Sequence, residues 1–105
     1  MQIHNITVAE AQAWLAAQTA ILIDVREHDE YAAMHIPGAQ HIPLATIAPA
    51  HLNVGNKKII IHCRSGHRSQ VACAKLLSEG VTEPLYNLDG GILAWQAAGY
   101  VVDAE

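Results

Sequence analysis

Several classes of protein are excluded by what this chain has little of. It holds only two cysteines, Cys63 and Cys73, ten positions apart and with no second pair nearby, which is too few for a disulfide scaffold and the wrong spacing for a zinc site. Reduced thiols are expected. Basic residues are scarce, six Lys and Arg against ten Asp and Glu for a formal charge of −4, and they form no stripe, so a nucleic acid is not expected as a partner. No run approaches the roughly 18 apolar residues that span a bilayer, and the N-terminus lacks a basic signal-peptide start. The reading is therefore a soluble, cytoplasmic chain with no membrane segment. It has no Gly/Ser/Pro-rich tract, no run of one charge and no internal repeat.

What is present suits one compact domain spanning residues 1–105. Hydrophobic residues make up 51% and charged ones 15%, and a chain of this size buries roughly 65% of its unfolded surface. Thr7 and Glu10 have the spacing of a capping box, and Val8, Ala11, Trp14 and Leu15 then recur at helical intervals for about three turns. Ala20 to Val25 is an apolar run that closes on Asp24, the pattern of a strand buried on both faces. His28 to His35 reads as a short helix stopped by Pro37-Gly38, Gln40 to Ile42 as a brief strand, and Ala45 to Leu52 as a weak helix. Lys57 to His62 is a second buried strand. A loop from Cys63 to Arg68 follows, then a helix from Ser69 to Glu79 with Gly80 at its C-cap. Leu85 to Leu88 is a third strand, Asp89-Gly90-Gly91 a tight turn, and Ile92 to Ala98 a last helix ending at Gly99. Strands and helices alternate, which predicts an α/β domain with a parallel sheet covered on both faces. Ligands of such sheets sit beyond the carboxyl ends of the strands, where Cys63 lies.

Cys63 is the candidate nucleophile. A thiol reacts as thiolate, and backbone amides, a helix N-terminus and neighbouring cations all favour that form. Gly66 permits the backbone angles that turn successive amides inward, Arg64 and Arg68 supply charge beside it, and Ser69 is expected as the helix N-cap. Cys73, placed mid-helix among Val71, Ala72 and Leu76, reads as packing. Asp24 and Arg26 are expected as an ion pair supporting the loop, since polar groups at a strand end need partners. Arg68 either points at substrate or braces the loop against Asp24 or Glu30. The seven histidines, His35, His41, His62 and His67 among them, match no zinc spacing, so neither metal nor cofactor is expected. His67 is the one placed to donate to a bound anion. Trp14, Trp95 and Tyr86 read as packing.

These residues resemble the rhodanese family of thiosulfate sulfurtransferases. Cys63-Arg64-Ser65-Gly66-His67-Arg68, running on to Ser69, is similar to the family's active-site loop. Ile23-Asp24-Val25-Arg26 with Glu30-Tyr31 and His35-Ile36-Pro37-Gly38-Ala39 resembles its N-terminal signature, and Asp89-Gly90-Gly91 with Ala94-Trp95 its C-terminal one. The resemblance implies a three-layer domain on a mostly parallel sheet of about five strands. It also implies a ping-pong reaction in which Cys63 takes the outer sulfur of thiosulfate, releases sulfite, and passes the sulfur from a persulfide to cyanide or a cellular thiol. The loop residues from Arg64 to Ser69 would bind the donor and the persulfide, with Arg64 and Arg68 on the sulfonate. A basic residue at Arg64 resembles the thiosulfate-using members, whereas those favouring 3-mercaptopyruvate carry a small residue there. Two rivals remain. A module relaying persulfide sulfur from a protein donor or to a protein acceptor would use the same cysteine. A cysteine phosphatase or arsenate reductase has a loop one residue longer than Arg64, Ser65, Gly66 and His67 provide between Cys63 and Arg68.

Overall fold

The computed structural model describes residues 3–52 and 54–104. Its elements run β1 (Ile3–Ile6), α1 (Val8–Ala16), β2 (Ala20–Asp24), α2 (His28–Ala33), β3 (Gln40–His41), a 3₁₀ turn (Pro49–Leu52), β4 (Lys58–His62), α3 (His67–Ser78), β5 (Leu85–Leu88) and α4 (Gly91–Ala97). All strand pairs are parallel, in the order β1-β5-β4-β2-β3. From β2 the chain moves outward to β3, and from β4 it moves the other way to β5. The topological switch therefore falls between β2 and β4, where a parallel sheet opens a crevice at its carboxyl edge.

The sheet is apolar on both sides because its strands alternate between two cores. Ile59 and Ile61 of β4 join Ile23, Leu85, Ala72, Cys73 and Leu76 beneath α3. Ile60, one residue out of phase, joins Leu22, Leu88, Ala11, Ile92 and Trp95 beneath α1 and α4. Each of the buried Ile and Leu side chains contributes about 1.5–3 kcal/mol relative to exposure. Trp95 is buried, and Trp14 and Tyr86 pack against the same core, as expected of them. The Thr7–Glu10 capping box forms, with reciprocal bonds of 3.1 Å. No helix among the described residues is long and apolar enough to cross a membrane.

The structure corrects three expectations about helices. Ser69 is not an N-cap: Gly66 holds that position with φ +111°, α3 begins at His67, and Ser69 is buried within its first turn. A left-handed glycine lets the chain enter the helix two residues earlier than Ser69 suggested. The weak helix from Ala45 to Leu52 shrinks to the Pro49–Leu52 turn, since proline removes a donor and disfavours helical geometry at Ala48 before it. The helix from His28 ends at Ala33, short of His35, because Met34 is extended and His35 makes an antiparallel bridge with Asp103.

Candidate active site

Parallel register brings three polar positions to one end of the sheet. Asp24 of β2 lies beside His62 of β4, and Asn87 of β5 lies beside Ile61, with Cys63 one residue beyond the end of β4. Cys63 is 1% exposed. Its Sγ accepts from the Gly66 N–H at 3.1 Å and lies 3.4 Å from Ser69 Oγ. Burial acts to raise this thiol. The Ser69 hydroxyl and the amides of Ser69, Gly66 and Ser65 outweigh it, so the group is held below its ordinary value. The N-terminus of the 12-residue helix α3 points its amides at the same sulfur.

The loop is held from behind by α4. Ile92 N–H donates to the Cys63 carbonyl at 3.0 Å and Leu93 N–H to the Arg64 carbonyl at 3.2 Å. With its carbonyls fixed on that side, the loop presents its amides to the sulfur. Gly91 makes the approach possible: it sits at φ +58°, and a Cβ there would stand 2.5 Å from the carbonyl oxygens of both Cys63 and Arg64. The sequence marked Asp89-Gly90-Gly91 as a tight turn and as part of a C-terminal signature, without a structural role toward the loop. The closeness of Gly91 to the loop was not visible without knowing that β5 lies beside β4.

Beneath the loop is the expected Asp24–Arg26 pair. Arg26 Nη2 lies 2.7 Å from Asp24 Oδ2, Nε donates to both carboxylate oxygens at 3.0 and 3.1 Å, and Nη2 also donates to the Met34 carbonyl at 2.6 Å. Burial works to raise the Asp24 carboxyl, but the Arg26 hydrogen bonds prevail and hold it below the usual range. His62, fully buried, completes the cluster. Burial pushes the imidazole below its ordinary value, so it is neutral near neutral pH. Its Nδ1 lies 3.1 Å from the Cys63 carbonyl, which can only accept, so that nitrogen carries the proton; Nε2 faces Asp24 Oδ2 at 3.5 Å with no hydrogen bond. His62 thus braces the loop, a role that histidine spacing alone did not indicate.

The loop's other side chains divide by exposure. Arg64, Ser65 and His67 are exposed, and Arg64 makes no ion pair among the described residues. Arg68 turns to Glu30, with Nη1–Oε1 at 2.6 Å and Nη2–Oε2 at 2.9 Å, rather than to Asp24. Glu30 in turn accepts from the Glu27 N–H at 3.0 Å, so one carboxylate caps α2 and holds the loop's second arginine. The histidines do not converge: His35 and His41 stack on either side of Tyr31, His62 is buried under the loop, and His67 is exposed.

A parallel α/β sheet carrying an acidified cysteine in a cradle of amides defines a class of sulfur- or anion-handling domains. The chain belongs to the rhodanese-like domain family, which matches residues 7–98. It is 34% identical over 99 residues to the thiosulfate sulfurtransferase GlpE of Pseudoalteromonas translucida, spanning 93% of each chain. The crystal structure of a thiosulfate sulfurtransferase from Pseudomonas aeruginosa matches with a TM-score of 0.86 at 28% identity, over 97% of this chain and 20% of that one. The chain spans about half the length of other curated relatives that it matches. One is an uncharacterised protein of Synechocystis, 38% identical over 90% of this chain and 54% of that protein.

Proposed function

We propose that this chain is a thiosulfate sulfurtransferase working through a Cys63 persulfide. The observation that carries the reading is the Cys63 sulfur itself, set at a strand end and facing the Gly66 amide at 3.1 Å. The thiolate attacks the outer sulfur of thiosulfate, the sulfur–sulfur bond of the donor breaks, and sulfite leaves with the electron pair. The product is a Cys63 persulfide whose negative terminal sulfur the loop amides stabilise, as an oxyanion hole stabilises oxygen. Cyanide or a thiol then attacks that terminal sulfur and returns Cys63 as thiolate.

Arg64 is the cation for the sulfonate end of the donor, because it is exposed and unpaired among the described residues, whereas Arg68 is engaged by Glu30. Ser65, Gly66, His67 and Ser69 supply the remaining donors around the anion. The named activity of the GlpE relative supports thiosulfate as donor. The loop is one residue shorter than that of a cysteine phosphatase, which suits a single added sulfur on Cys63 better than a tetrahedral phosphate. We place the protein in the cytoplasm, where its two free thiols stay reduced.

The test is an intact mass after incubation of the reduced protein with thiosulfate, followed by cyanide and a thiocyanate assay. The wild type should gain one sulfur atom and lose it to cyanide; Cys63→Ser should gain none and make thiocyanate at background rate. Absence of the added sulfur in the wild type would sink thiosulfate as donor and turn attention to a protein persulfide donor.

A further inference from the structure

A row of hydrogen bonds runs from the Cys63 sulfur through Ser69 to the surface, and its members beyond Ser69 have no part in the proposed reaction. Ser69 Oγ, 3.4 Å from Cys63 Sγ, donates to Asn87 Oδ1. Asn87 Nδ2 donates to Asn5 Oδ1 at 3.0 Å, and Gln70 Nε2 donates to the same Asn5 oxygen at 3.0 Å. Cys63, Ser69 and Asn87 are buried, while Asn5 is exposed. The row exists because β1 and β5 pair with Asn5 opposite Asn87, and because the first turn of α3 lies over the end of β5.

Counting protons shows what the row controls. A serine hydroxyl has a single hydrogen. Given to Asn87, it is not available to the sulfur, and the contact of Ser69 with Cys63 is then an S–H donating to the serine oxygen. That arrangement suits the thiol. A thiolate has no hydrogen to offer and needs the Ser69 proton for itself. Turning the hydroxyl to sulfur strands Asn87 Oδ1, a buried acceptor, at the cost of its hydrogen bond. The Asn87 amide is not free to turn over and donate instead, because its nitrogen is engaged by the Asn5 oxygen, which Gln70 also holds.

We propose that Asn87 is a positioning residue that competes with the Cys63 sulfur for the one Ser69 proton, and that Asn5 and Gln70 hold it in the competing orientation. The proposal rests on Cys63 as nucleophile and is read on the thiol rather than on turnover. The other charged or titratable groups around the sulfur are Arg64 and His67 of the loop, both exposed, Arg68 of α3, paired with Glu30 of α2, and His62 of β4 with the Asp24–Arg26 pair behind it. Asp89, after β5, is exposed. None of Asn5, Ser69, Gln70 and Asn87 titrates, so the effect of Asn87 on the thiol passes through Ser69.

The experiment is the pH dependence of Cys63 alkylation by iodoacetamide, read by peptide mass so that Cys73 does not contribute. Asn87→Leu should lower the midpoint by about one pH unit, a roughly tenfold gain in thiolate below the midpoint. Asn5→Val, at an exposed strand position that accepts a β-branched residue, should move it the same way by less. Ser69→Ala should raise it, and Asn87→Leu added to Ser69→Ala should produce no further shift. The proposal is overturned if both asparagine variants leave the midpoint in place or raise it, or if the Asn87 shift persists without Ser69. Should Asn87→Leu fail to fold, Asn5→Val decides alone. Sulfur uptake from thiosulfate is measured separately: shifted midpoints without uptake uphold the role of Asn87 and remove thiosulfate as the donor, whereas uptake with unmoved midpoints does the reverse.

Discussion

Cys63 and Cys73 belong to the same apolar cluster and are buried alike, at 1% and 0% exposure. Their acidities nevertheless diverge. Burial pushes the Cys73 thiol up to about 12, while Cys63 is held below its ordinary value although burial acts on it in the same direction. The difference lies in the backbone. Cys73 sits mid-helix, where amides are committed to carbonyls one turn back, and its sulfur meets little that can offset desolvation. Cys63 sits where a strand has ended and a helix has just begun, so the amides of Ser65, Gly66 and Ser69 are free to turn to the sulfur. In one core, the donors aimed at a thiol decide its chemistry, and burial does not.

The largest expected effect is on this contrast itself. At pH 8 a thiol of pKa about 12 is roughly 10⁻⁴ ionised, whereas one below 9.0 is more than about a tenth ionised. Iodoacetamide should therefore label Cys63 at least about 10³ times faster than Cys73 in the folded protein, with the ratio collapsing in denaturant. Peptide mapping at early times measures it. Comparable labelling of the two residues in the native state would mean that the loop amides do not act on Cys63.

A second, smaller effect comes from turning Cys63 toward the condition of Cys73. Gly91→Ala places a methyl group where the carbonyls of Cys63 and Arg64 stand 2.5 Å away, and backbone cannot yield as a side chain would. The loop must shift and its amides lose their aim. A displacement near 1 Å costs about 10²-fold in a positioned reaction, so alkylation and sulfur uptake should both fall by about 10- to 100-fold. Gly38→Ala is the control, since Gly38 also has positive φ, at +83°, but nothing lies within 4 Å of its would-be Cβ. It should lose about 1–2 kcal/mol of stability in a thermal melt and leave Cys63 reactivity unchanged. Equal reactivity in the two variants would break the account of the loop.

Where the sequence was legible, local chemistry was enough. The buried strands of Ala20–Asp24, Lys58–His62 and Leu85–Leu88 announced themselves as apolar runs, and Cys63 stood out because Gly66 and two arginines followed it at a strand end. The Asp24–Arg26 pair could be expected for the same reason, two residues apart on one strand end. The rest depended on which strands neighbour one another. Asn87 reaches Ser69 only because β5 lies beside β4, and Gly91 clamps the loop only because α4 returns to the end of that strand. Neither adjacency leaves a periodic trace in the chain. Ser69 misled for a simpler reason: its type suits an N-cap, but Gly66 had already opened the helix, and the hydroxyl was left for Cys63 and Asn87.

The smallest effect concerns a group that distinguishes the two cysteines at long range. Arg68 is acted on by the charge of Cys63, and the Glu30 carboxylate pairs with its guanidinium. The Arg68 hydrogen bond chiefly lowers Glu30, to about 2 against an ordinary 4.5. A carboxyl lowered on folding stabilises the native state above its unfolded value and ceases to do so as pH falls through its folded value. The pair's contribution is thus complete above about pH 4.5 and gone below about 2. Its side chains are 34% and 27% exposed, so solvent screens the pair and the contribution is below about 1 kcal/mol. Glu30→Gln keeps an oxygen for the Glu27 N–H, and at pH 7 should cost about 0.5–1 kcal/mol in urea unfolding, a deficit that closes between pH 4.5 and 2 and shrinks in high salt. The same variant releases Arg68 from its carboxylate and should lower the alkylation midpoint of Cys63 by a few tenths of a unit while leaving Cys73 unreactive. A deficit that stays constant down to pH 2 would show that Glu30 serves α2 as a cap and contributes nothing through Arg68.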